Sequence, residues 1–215
     1  MRGEEPVDVV LFIAAMLTYI WVVIPWMGVS PLVNSLFIVG IVSLAAFSLW
    51  RKGVPWNKVG LSSRNLSQGT AIYIGAGVSF AGLVLLYYRN SLGLMTEGWP
   101  DPRRVPMYLT WAFLQEFCFL SFLLNRFRQI LRRDAAAAVT AAAIFAFFHL
   151  PNPFLTLYTL GGGLIATFLF MRWPNLVGAT LAHALASGLV SNLLPPVITG
   201  WMRVGPLYWW ITRGH

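Results

Sequence analysis

A chain of 215 residues in which 58% are hydrophobic and only 10% charged departs far from the roughly 25% charged content of a soluble globular domain, so a water-soluble fold is excluded. The net charge of +8 does not point to nucleic acid, because the basic residues sit in short connections between apolar runs, where they mark membrane topology. With Cys118 as the single cysteine, an internal disulfide and a cysteine-based metal cluster are excluded as well.

Taken in order, the apolar runs predict an all-α, polytopic transmembrane helix bundle with seven or eight spans, in one integral-membrane domain. The first run is Val9–Gly28. Its leader MRGEEPVDVV holds one Arg against three acids, a poor signal-peptide start, so the run reads as a retained helix. The second, Leu32–Trp50, follows Pro31, whose missing N–H is harmless at a helix start. Both match the roughly 20 residues needed to cross hydrocarbon. A basic connector, Arg51 to Gly69, leads to a third run, Thr70–Tyr88, and then a polar stretch, Arg89–Pro106.

The fourth run, Met107–Leu124, holds Glu116 near its middle, and behind it stand Arg126, Arg128, Arg132 and Arg133. The fifth, Asp134–Leu150, is rich in Ala and ends at His149. The sixth, Phe154–Met171, carries Gly161-Gly162-Gly163. The seventh, Pro174 to Leu194, contains His183 among small residues such as Gly178, Ala179, Ala182 and Ala186. Such residues let membrane helices pack backbone to backbone. The tail, Val197–Ile211, reads either as a short eighth span or as a broken interfacial segment. Tryptophans such as Trp26, Trp50, Trp173 and Trp209 lie near run ends, as rings anchored at headgroup level do.

Alternating spans put Arg51, Lys52, Lys58 and Arg64, the four arginines behind the fourth run, and Arg172 on one side. That side is expected to be cytoplasmic, with the N-terminus. At about 1.5 Å per residue, Glu116 and His183 then fall in the middle or outer half of the bilayer, with His149 toward the outer surface.

Glu116 is the one acid that must sit deep in a membrane, where an ionisable group needs a partner, a wet cavity or protonation. Apolar surroundings disfavour its charged form, and a nearby imidazolium favours it. An acid of this kind can activate water, while His149 or His183 orients that water, stabilises an oxyanion or protonates a leaving amine. Gln115, Ser187 and Asn152 are further neutral donors for the same space. His183 and Ser187 stand four residues apart, on one helix face. Three other readings use the same side chains. They are polar contacts between helices, an ion or proton path, and a His₂Glu zinc set of Glu116, His149 and His183. Neither HExxH nor an i,i+4 ligand pair supports the last, and no cofactor is expected.

The pattern resembles the CAAX-protease and bacteriocin-processing family of intramembrane endopeptidases, which includes the Rce1-type prenyl-protein proteases. The segment Gln115-Glu116-Phe117-Cys118-Phe119-Leu120 stands for the family's Glu-Glu-x-x-x-Arg. Phe145-Ala146-Phe147-Phe148-His149 matches Phe-x-x-x-His, and His183-Ala184-Leu185-Ala186-Ser187, after Asn175-Leu176, stands for His-x-x-x-Asn. The likeness spans roughly Lys58–Ser187, within a motif-bearing core of about 58–194. It implies cofactor-free peptide-bond hydrolysis on a membrane-anchored protein or peptide, in the cell membrane of a bacterium or archaeon.

In this register Gln115 replaces the family's first Glu, Leu120 its Arg and Ser187 its Asn. A glutamine takes up no proton at neutral pH. Either Glu116 serves as base, or the chain is an inactive relative that binds another membrane protein. A register shifted by one puts Glu116 at the first-Glu position. The site set is therefore Glu116, His149, His183, Ser187 and Gln115.

Overall fold

The computed structural model describes residues 6–27, 30–63, 66–93, 96 and 102–213, and all regular structure among them is helical. Helix α1 is Val7–Thr18, running on through a π-helical stretch, Tyr19–Val23, and Ile24–Met27. The next two are α2 (Pro31–Arg51) and α3 (Leu66–Leu92). Helix α4 (Val105–Glu116) continues without a break into π-helical Phe117–Leu124 and then Asn125–Leu131. After it come α5 (Asp134–Phe147), α6 (Pro153–Arg172), α7 (Leu176–Leu193) and α8 (Pro206–Thr212).

Six helices among the described residues are long and apolar enough to cross a membrane, the longest being the continuous Pro102–Leu131. The protein is thus an all-α, polytopic membrane bundle, and beside these six helices it has a shorter apolar α5 of 14 residues. The fifth run loses its last turn because the chain leaves helix geometry after Phe147, placing His149 in a turn. The tail takes the broken form. A turn at Pro196–Thr199, a 3-10 turn at Gly200–Met202 and the seven-residue α8 replace a spanning helix.

Helix starts follow local chemistry. Asn152 and Asn175 accept from Leu155 N and Gly178 N at 3.1 and 2.9 Å, satisfying donors that a helix start leaves bare. Pro31 and Pro153 occupy the first positions of α2 and α6, where φ near −65° is already set.

Helix α4 runs through the core, with Leu120 and Phe122 fully buried. Against it lies α5, whose Ala137, Ala138, Ala141 and Ala142 are 0% exposed; their small side chains let the helices approach closely. Helices α3 and α7 meet through the small-residue face expected of the seventh run. A Cβ on Gly178 would lie 2.9 Å from the Thr70 Cα, and one on Gly77 3.1 Å from the Ala182 Cβ.

Each end of the bundle is tied by buried polar groups. At one, Arg126 holds Asp8 through Nε–Oδ2 at 2.7 Å and Nη2–Oδ1 at 2.9 Å, Ser48 donates to the same carboxylate, and Arg126 donates to Gln129. The starts of α1 and the ends of α2 and α4 are thereby joined. Nearby, Ser121 donates to Val59 O at 2.6 Å and Asn125 to Lys58 O at 3.0 Å. At the other end Asn152 donates to Thr199 O and Arg203 O at 2.9 and 3.0 Å. The expected cavity donor Asn152 instead caps α6 and pins the tail.

Candidate functional site

Glu116 closes the α-helical part of α4, and the chain turns π-helical at the next residue. A π stretch widens the turn and re-aims neighbouring side chains, and such stretches recur at functional sites. Glu116 is 4% exposed. Its Oε1 lies 2.6 Å from His183 Nδ1, with side-chain exposures of 5% and 22%. Its Oε2 is buried with no hydrogen-bond partner among the described residues. An acid from α4 and an imidazole from α7 are thus joined by a hydrogen bond.

His149 reaches the site differently. Its Nδ1 stands 2.7 Å from the Phe145 carbonyl. A carbonyl only accepts, so Nδ1 carries the proton and Nε2 the lone pair. The Phe145 ring stands edge-on to both imidazoles, at centroid distances of 4.9 Å to His149 and 6.4 Å to His183. It stacks at 4.5 Å on Phe119.

Two cavities share this wall. The larger, about 710 Å³, is bordered by Gln115, His149, His183 and Ser187, and by residues of α1, α2 and the tail, with Arg104 and Arg203 at one end. The smaller, about 90 Å³, is bordered by Tyr73, Tyr158, Glu116, His183 and Ser187. His183, Ser187, Phe119 and Phe145 border both, Glu116 only the smaller and His149 only the larger. The residues named from sequence thus converge in one region, arranged on two sides of a partition. The hydroxyl of Ser187 donates to the His183 carbonyl one turn back.

No group of three His, Cys, Asp or Glu side chains among the described residues is placed to hold a metal ion, so Glu116, His149 and His183 are not gathered as a ligand set. Tyr73 and Tyr158 were not foreseen as site residues, and nothing in the sequence separates them from the other aromatics of their runs. Phe145 entered only as the first residue of the Phe-x-x-x-His motif.

Residues 102–189 match the family model described as Type II CAAX prenyl endopeptidase Rce1-like. The matched stretch is less than half of the chain and runs from the start of the long α4 path through most of α7. It contains Gln115, Glu116, His149, His183 and Ser187. Neither a curated protein nor a solved structure matches the chain.

Proposed function

We propose that the protein is an intramembrane endopeptidase that cleaves a membrane-anchored protein or peptide near its transmembrane segment. The observation that carries this reading is the Glu116–His183 pair at 2.6 Å, whose imidazole borders the same larger cavity as His149. The family match over the same residues supports it.

Roles follow from the hydrogen bonds. His149, its Nδ1–H held by the Phe145 carbonyl, offers Nε2 as the base that takes a proton from water in the larger cavity. His183, its Nδ1 held by Glu116, uses Nε2–H to stabilise the oxyanion and then to protonate the leaving amine. Glu116 balances the charge His183 carries while doing so, as a carboxylate does behind a catalytic imidazole. This assigns Glu116 to His183 rather than to the water, because it borders the smaller cavity alone. Gln115 offers an amide to orient the water or the scissile carbonyl.

The basic connectors lie at the Arg126 end, which in this reading faces the cytoplasm of a bacterium or archaeon together with the N-terminus. The larger cavity then extends through the outer half of the membrane toward Arg104 and Arg203.

The test is cleavage of a membrane-anchored peptide library by the protein in proteoliposomes. His149→Ala and His183→Ala are each expected to lower kcat by about 10²–10³, the range for losing a general base or an oxyanion donor, and Glu116→Gln by about tenfold or more. Equal cleavage by wild type and all three variants would overturn the assignment. One observation favours a second reading, a non-catalytic scaffold for another membrane protein: among the described residues the larger cavity is bordered by the amide of Gln115 and by no carboxylate. Its signature is a stable partner complex that survives Glu116→Gln and His149→Ala, with no cleavage by the wild type.

A further inference from the structure

The smaller cavity is bordered by Glu116, Tyr73 and Tyr158, whose Oε2, Oη and Oη atoms are buried with no hydrogen-bond partner among the described residues. Tyr73, from α3, is 2% exposed, and Glu116 4%. Both border the same small cavity. Leaving a buried hydroxyl and a carboxylate oxygen unpaired is costly, most of all where the group is charged. A water needs roughly 10–15 Å³ of such space and two to four polar partners, and a cavity of about 90 Å³ holds several.

We propose that this cavity is an internal water site through which Tyr73 positions Glu116, its hydroxyl donating to water that in turn donates to Glu116 Oε2. Oε1 is already engaged by His183. A second donor at Oε2 fixes the carboxylate plane and keeps the acid turned toward the imidazole. Tyr73 is then a positioning residue, acting on the substrate through Glu116 and His183. Tyr158, which borders both cavities, supplies a further partner for the same water. The catalytic consequence rests on the peptidase reading, and the water site itself does not.

The experiment pairs infrared spectroscopy with kinetics on the full-length protein in proteoliposomes. The carboxylate stretching band of Glu116 is identified by its loss in Glu116→Gln. In Tyr73→Phe that band is expected to shift, because the carboxylate has lost its second hydrogen-bond donor. At the same time kcat is expected to fall about tenfold with KM within a factor of two. Tyr158→Phe moves both in the same direction by less. An unchanged band and an unchanged kcat in Tyr73→Phe overturn the proposal. A band that responds in a protein that cleaves nothing upholds the water site and removes the peptidase reading. Should Tyr73→Phe fail to fold, a high-resolution map of the wild type decides. Ordered water joining Tyr73 Oη to Glu116 Oε2 supports the proposal, and a dry cavity defeats it.

Discussion

Gln115 and Glu116 are neighbours in sequence, yet they border different cavities, because adjacent residues on a helix point about 100° apart. The larger cavity therefore meets an amide where the family motif has an acid. Gln115→Glu puts a carboxylate beside the water that His149 would activate. It is expected to raise kcat about tenfold or more, with Glu116 still on His183, as measured in the same proteoliposome assay. A wild type and variant that both stay inactive while a partner is retained would assign the chain to binding. At this scale the sequence picked out side chains that the structure brings into one region, since few ionisable groups occur in apolar runs. It did not show their pairing. Asp8 sits at the edge of the first run and Arg126 in a basic connector, and a sequence separation of 118 conceals their contact. Nor did it separate Asn152, a cap that ties down the tail, from a donor inside the cavity.

Helix positions were read more securely. The second, sixth and seventh runs agree with α2, α6 and α7 to within a residue or two at most ends, because Pro and Asn mark their starts. The third run was read too short, since α3 extends through the polar residues Leu66–Gly69 and Arg89–Leu92. Helix geometry there is held partly by contacts such as Asn175 Nδ2 to Leu66 O at 3.1 Å, which no local pattern encodes. The same interface sets the depth of His183, five residues beyond Gly178 on α7. Gly178→Val is expected to force α3 and α7 apart, because its side chain would meet the Thr70 backbone. A loss of about 1–3 kcal/mol, the usual cost of overpacking, should appear in unfolding curves in detergent micelles. Activity should fall by more than the unfolded fraction explains, since the Glu116–His183 distance opens with the interface.

For the molecule as a whole, the Asp8–Arg126 pair closes the end at which α1, α2 and α4 meet. Arg126 is 0% exposed, so removing one partner leaves a buried charge uncompensated. Arg126→Met is expected to destabilise the bundle by about 3–5 kcal/mol, and Asp8→Asn with Arg126→Met to recover much of that loss, both by denaturant unfolding. Orientation has its own test. In a Cys118→Ser background, cysteines at Lys52 and Arg132 should react with an impermeant maleimide from the cytoplasm, and one at Pro195 from outside; the reverse pattern would invert the topology. With its lower end anchored by Asp8, the wide-turned stretch from Phe117 to Leu124 also makes the reading frame of this helix chemically meaningful. Loss of one codon there would step every upstream side chain along by one place and bring Gln115 opposite His183. Gain of one codon would carry Glu116 to the wall where Gln115 now stands, so a length polymorphism could interchange acid and amide without altering either residue.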